Sequence, residues 1–247
     1  MNSRAPLCTA FLLLIGLLAT SARCADSGVA TNSDASLAKR QETLINAIEQ
    51  EFPTGVGRDR DGRMRFLDVP FRYMTDDNLA LVGQCVSLKE LRLRLLSRNY
   101  QLTPDGITNL ARIPDLESLA VMCPHVLHAG LLDAIAKLTS VRSLTLNRAD
   151  PSPTEYSALT NMTQLQELII IEAPHFGDTE ALHLVHLPNL KRLTLAETSV
   201  SDGWLAVARN SATLTNVTVR SWDKNETVVW SRMEPHAPVE AKTAGSP

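Results

Sequence analysis

The sequence predicts an α/β solenoid, with a parallel β-sheet lining a concave side and short helices or 3₁₀ turns returning along a convex side. Two observations predict it. A short apolar phrase recurs seven times at a nearly constant period, and the segments between its copies carry apolar residues in steps of three. The chain has 247 residues, 44% of them hydrophobic and 21% charged, which is enough for one sizeable shared core.

The first segment, residues 1–24, reads as a signal peptide. Arg4 supplies a charged start, Phe11 to Leu18 (FLLLIGLL) a short apolar stretch, and "ATSARCA" the small residues of a cleavage site. The apolar run is too short to span a bilayer as a helix. Arg23 directly before Cys24 fits poorly with a lipid anchor on that cysteine. Residues 25–35 read as a linker. Residues 36–56 read as an N-terminal cap helix, because "SLAKRQETLINAIEQEF" places Leu37, Leu44, Ile45 and Ile48 on one face.

The repeats occupy residues 57–222. The phrase is an apolar residue, a second three positions on, and a third two beyond that. It appears as Met64/Leu67/Val69, Leu88/Leu91/Leu93, Leu116/Leu119/Val121, Val141/Leu144/Leu146, Leu165/Leu168/Ile170, Leu190/Leu193/Leu195 and Leu214/Val217/Val219. Successive starts lie 24, 28, 25, 24, 25 and 24 residues apart. Alternation within the phrase is that of a strand, whose side chains point to opposite faces. Between copies, triplets such as Cys85/Val82/Leu79, Ile113/Leu110/Ile107 and Leu138/Ile135/Leu132 mark one face of a short helical return. Capping chemistry opens these returns in "MTDD", "LTPDG" and "VSDG". Such a unit cannot bury its apolar face alone, so neighbours must stack. Residues 223–247 read as a C-terminal cap strand ("ETVVWS") followed by a disordered, Pro/Ala-rich tail.

The phrase LxxLxL followed by a turn resembles the leucine-rich repeat family, in the short form common in exported bacterial proteins. Leu190 to Leu205 (LKRLTLAETSVSDGWL) carries the resemblance most fully, through Thr198, Val200, Asp202 and Leu205. The resemblance covers about Arg60 to Trp222 and implies a leucine-rich-repeat solenoid. The Asn or Thr usual after the strand is replaced by Leu96, Pro124, Ala149 and Ala173, so the inner polar ladder is broken. The longer gap after the second strand predicts a bulge over Leu95–Gln101.

Alternation then assigns the outward positions. "LQELIIIEAP" puts Leu168 and Ile170 in the core and Glu167, Ile169 and Ile171 on the concave surface. Neighbouring units add Ala120 and Met122, with Arg92, Arg94, Arg192 and Arg220 toward the edges. An apolar centre inside a charged rim is the anatomy of a protein-binding patch. These nine residues are the candidate site.

Other chemistry finds less support. A net charge of −3 excludes nothing by itself, but interleaved acids neutralise the Arg-rich N-terminal third, which argues against nucleic acid. His175, His183 and His186 lack a matched acid or cysteine at ligand spacing, and "GRDRDG" lacks the closing glutamate of a calcium loop, so no metal or other cofactor is expected. Cys85 and Cys123 read as small buried residues. Asn161, Asn216 and Asn225 match the glycosylation acceptor, which has meaning only in a eukaryotic source. No nucleophile, base and acid stand in a known motif, so the expected protein is not an enzyme. The resulting expectation is a monomeric, non-catalytic protein–protein interaction module with an unidentified protein ligand. It is secreted or periplasmic/cell-envelope, with no transmembrane segment in the mature chain. The alternatives are a ubiquitin-ligase-type substrate-recognition subunit, which the export signal opposes, and an exported hydrolase on the same scaffold.

Overall fold

A computed structural model describes residues 32–96, 101–124, 127–221 and 226–231. The signal peptide, Cys24, Asn225 and the tail from residue 232 lie outside the described residues, as do residues 97–100 of the expected bulge. The elements run α1 (Asn32–Glu51), β1 (Val56–Arg58), β2 (Met64–Val69), α2 (Asp76–Val82) and β3 (Glu90–Arg94). They continue as α3 (Pro104–Thr108), β4 (Ser118–Met122), α4 (Leu131–Ala136), β5 (Ser143–Asn147) and β6 (Glu167–Gly177). The last are α5 (Asp178–Leu184), β7 (Arg192–Ser199), α6 (Asp202–Ala208), β8 (Asn216–Ser221) and β9 (Glu226–Ser231). A 3₁₀ helix over Pro153–Asn161 stands where the fourth complete repeat would have an α-helix.

The strands form one sheet in chain order, β1 to β9. β2 to β8 are parallel, and each carries one copy of the phrase. β1 and β9 close the two ends as antiparallel partners of β2 and β8. This is the leucine-rich-repeat architecture. Its core is built from rows that run across the sheet. Leu67, Leu91, Leu119, Leu144, Leu168, Leu193 and Val217 lie side by side, and none is more than 1% exposed. The helical returns close the other side of the core with Leu79, Ile107, Leu132, Leu159 and Leu184, all at 0–1%. Each buried aliphatic side chain contributes about 1.5–3 kcal/mol relative to exposure.

Helix α1 starts earlier than the residue pattern implies, at Asn32, and ends at Glu51 just before Pro53, whose ring cannot continue a helix. Leu44, Ile45 and Ile48 bury its second half against the first repeat. Gln41 fixes the contact by donating to the Leu81 carbonyl at 3.2 Å and to Cys85 Sγ at 2.9 Å. Cys85 and Cys123 are both buried, with no disulfide between them. No helix among the described residues is long and apolar enough to cross a membrane.

Neighbouring returns are joined by their caps. Asp76, in the first turn of α2, accepts from Thr103 N at 2.9 Å and Thr103 Oγ1 at 2.7 Å. Thr103 is itself the N-cap of α3. Asp178 repeats the arrangement, accepting from Ser201 N at 2.7 Å and Ser201 Oγ at 2.5 Å. Gly106 leaves room for the first clamp, since a Cβ there would sit 2.0 Å from Asp76 Oδ1. In the middle of the stack Asp150 does similar work from inside. Its carboxylate accepts from Tyr156 Oη at 2.8 Å and meets His175 Nδ1 at 2.7 Å. Burial, reinforced by Asp150, holds the Tyr156 phenol protonated far above its ordinary range.

The broken ladder has a backbone counterpart. Arg148, Glu172 and Glu197 occupy the same place in three successive repeats, with φ of 55°, 54° and 53°. This left-handed residue turns the chain off the strand, at a cost of roughly 1–2 kcal/mol for a side chain with a Cβ. At the following position Ala149 and Ala173 are buried, whereas Thr198 brings a buried Oγ1 with no hydrogen-bond partner among the described residues.

Two stability measurements check these points. Asp178→Ala is expected to cost about 1–2 kcal/mol in urea unfolding, from the loss of two bonds to the next cap. Thr198→Ala, which copies its neighbours, is expected to leave stability unchanged or raise it by up to about 1 kcal/mol. A clear loss would reveal a partner for that hydroxyl.

Candidate functional site

The concave face is read from the pairing register as three outward rows. The first runs Glu90, Ser118, Ser143, Glu167, Arg192, Asn216. The second runs Asp68, Arg92, Ala120, Thr145, Ile169, Thr194, Thr218. The third runs Arg94, Met122, Asn147, Ile171, Ala196, Arg220. All nine candidate residues therefore lie on one surface, because strand alternation and an unshifted register leave them nowhere else.

Ile169 and Ile171 are half-buried, flanked by Thr145 and Asn147 on one side and by Thr194 and Ala196 on the other. From Ala120 to Thr218 the middle row is made of small and β-branched side chains, so the centre is shallow. Met122, 36% exposed, stands higher. Its neighbour in register is Arg94, and beyond the strand ends lie Leu96 and Phe71, exposed by 41% and 46%. Phe52, Pro70, Phe71, Arg94, Leu96 and Glu51 line a depression of about 190 Å³ there. Leu96 is noted in the sequence only as a missing Asn or Thr. The signal for the depression is the pair Pro70–Phe71 directly after β2, an exposed apolar residue where a polar turn is usual.

The arginines are less available than their positions imply. Arg94 donates through Nε and Nη2 to Asp68 at 2.7 and 2.6 Å, and Asp68 is 1% exposed. That bond raises the Arg94 pKa, and its guanidinium lies 4.9 Å from the centroid of Phe52. Arg92 donates to Glu90 at 2.8 Å and lies over Phe66 at 4.8 Å. Arg192 donates to Glu167 at 3.0 Å, and Ser143 Oγ donates to the same carboxylate at 3.1 Å. Three of the four edge arginines thus already hold an intramolecular carboxylate. Arg220 has no ion pair among the described residues. For Arg94 and Arg192 the pairing follows from the fold, since parallel strands set residues of adjacent repeats side by side, whereas Glu90 precedes Arg92 by two positions on β3 itself. Asp68 escapes the sequence pattern because its partner lies 26 residues on, in the next strand.

Among the described residues no three His, Cys, Asp or Glu side chains gather as metal ligands. His175 turns its Nδ1 to Asp150 at the end of the long strand β6, away from the nine candidate residues in sequence and register. His183 and His186 lie in or beside α5, on the convex return.

The fold is that of a leucine-rich-repeat solenoid. No family model matches the chain, and no curated protein matches it. Among solved structures it is similar to internalin C2 of Listeria monocytogenes, at 24% identity over 57% of this chain and 55% of that one, with a TM-score of 0.39. An internalin (inlF) of the same organism matches at 20% identity over 57% of this chain and 37% of that one, with a TM-score of 0.38. The plant peptide hormone receptor RGFR1, solved in complex with RGF2, matches at 12% identity over 67% and 36%, with a TM-score of 0.33. The chain spans between about a third and a little over half the length of these proteins. The architecture rests on the sheet topology and the stacked rows.

The Glu167–Arg192 pair gives a pH-dependent prediction. The hydrogen bond from Arg192 holds the Glu167 carboxyl below its ordinary value of 4.5. The pair therefore contributes stability in full above that pH and loses it as pH falls through the lowered value. Glu167→Gln is expected to flatten the acid limb of the stability curve by a fraction of a kcal/mol, as befits a partly exposed pair. Urea midpoints between pH 3 and pH 7 check it, and parallel curves for both proteins would refute it.

Proposed function

We propose that this protein is an exported, non-catalytic module that binds another protein on its concave face. The observation that carries the reading is the pair Ile169 and Ile171, with Ala120 and Met122 one strand further on across Thr145 and Asn147, set between Arg92 and Arg94 at one side and Arg192 and Arg220 at the other. The scaffold beneath is a single hydrogen-bonded sheet, so the surface loses little conformational freedom on binding. The already paired arginines serve as a positioned rim that excludes water around the centre, and Arg220 is the cation left to meet an acidic group. Export rests on the charged, apolar and small-residue order of the first 24 residues. The absence of a catalytic role rests on the lack of any nucleophile, base and acid motif in the sequence.

The test is capture from the native extracellular or envelope fraction by the wild-type protein and by Ile169→Glu side by side. Ile169 is half-buried on the outer face, so the variant is expected to fold, as circular dichroism would verify. Capture of a specific band by the wild type should fall by tenfold or more in the variant, the scale of a central interface residue. A folded variant that captures the same band equally well would overturn the assignment.

A further inference from the structure

Exposed apolar bulk gathers at one corner of the concave face, where the first repeat ends. Of the seven large apolar side chains that stand exposed among the described residues, Phe71 and Leu96 line the same depression, and Met122 lies in register with Arg94, which also lines it. Both walls are held. On one side Phe71 sits in a 3₁₀ turn over Phe71–Tyr73, closed by bonds from Tyr73 N to the Pro70 carbonyl at 3.0 Å and from Met74 N to the Phe71 carbonyl at 3.1 Å. On the other, Phe52 N donates to the Ile48 carbonyl at 2.7 Å as α1 ends, and its ring lies so close to Gly55 that a Cβ there would collide with it. Glu51 joins the two walls, accepting from Tyr73 Oη at 3.1 Å and pairing with Arg72 at 3.0 Å. A braced turn therefore presents Phe71 to solvent instead of folding it into the core.

Volume and charge say what the depression accepts. Its space of about 190 Å³ is smaller than the roughly 300–1,000 Å³ of a drug-sized ligand site and suits one large side chain. The two charges in its wall are already matched, Arg94 by Asp68 at 2.7 and 2.6 Å and Glu51 by Arg72 at 3.0 Å. A charged occupant would have to break one of these pairs. An uncharged ring meets Phe52, Pro70, Phe71 and Leu96 and leaves both intact. We propose that this depression is the anchor pocket of the concave face and takes one uncharged aromatic side chain, of the Phe or Trp type, from the protein ligand. The proposal rests on the reading that a protein binds this face, and it moves the strongest point of contact away from the shallow centre. Anchors of this kind dominate interfaces because a single ring fills a preformed pocket. From Arg94 through Met122 and Asn147 to Ile171 the register crosses three strand spacings, about 14 Å, which is the reach of a ligand that uses both places.

Methyl NMR of the full chain, titrated with N-acetyl-tryptophanamide and separately with N-acetyl-aspartic acid amide, reads the outcome. The tryptophan amide should shift the Leu96 and Met122 methyl signals saturably in the millimolar range, as suits a single side chain. The buried Met64, Met74 and Met162 should not respond, and the aspartyl amide should shift none of them. Phe71→Ser, at a position 46% exposed and so compatible with folding, should weaken the tryptophan amide by about fivefold or more. Ile169→Glu should bind it as the wild type does. The inference is overturned by the lack of a saturable shift at Leu96 and Met122, by an equal response to both amides, or by equal binding in a folded Phe71→Ser. The comparison of the two amides decides alone if that variant does not fold. A pocket that ignores tryptophan overturns this inference only, whereas unchanged capture of a ligand by Ile169→Glu overturns the reading of the centre.

Discussion

The rest of this protein depends on the burial of side-chain rows that no single repeat can keep from water. Leu168 is dry because Leu144 lies on one side of it and Leu193 on the other, and each of these depends in turn on its own neighbour. At roughly 25 cal/mol per Å² of apolar surface, the gain is realised only when copies stack. Everything else is arranged around that requirement. The cap bonds from Asp76 and Asp178 hold adjacent returns in step, and α1 covers the first repeat where no earlier one exists.

The concave surface inherits its order from the same rows. Once inner positions are fixed in register, outer positions are fixed too, since they alternate along the same strands. That explains why the arginines are so often engaged. Same-face neighbours lie within reach of a guanidinium, Asp68 and Glu167 from the adjacent strand and Glu90 from two positions back on the same one. The apolar side chains at the centre consequently stand beside pairs that are neutral in sum, with Arg220 outside them at the far edge.

The strands and their register were readable because they depend on spacing alone. The repeated interval from Leu144 to Leu168 to Leu193 carries the whole parallel sheet. The cap helix was readable in kind from Leu44, Ile45 and Ile48, although its start at Asn32 was not, since Asn32 and Ser33 carry no apolar signal. Strand β1 escaped notice because "VGR" is too short to show alternation. The left-handed turns at Arg148, Glu172 and Glu197 escaped because those residue types do not announce a positive φ. Strand alternation sets the nine candidate residues on one face, but the Asp68–Arg94 and Glu167–Arg192 pairs and the depression by Phe71 and Leu96 depend on residues some 25 positions apart. No local pattern expresses that distance.

The pairing from β2 to β8, in register through every copy of the phrase and shifted only past Ala173 at the end of β6, has a consequence for how such a surface changes over generations. Because the rows cross every unit at the same phase, deleting one whole repeat would rejoin them without a slip, and duplicating one would lengthen them. A partial deletion would instead turn core residues outward. The gene is thus able to alter the reach of the face in steps of about 25 residues while each remaining unit keeps its own sequence.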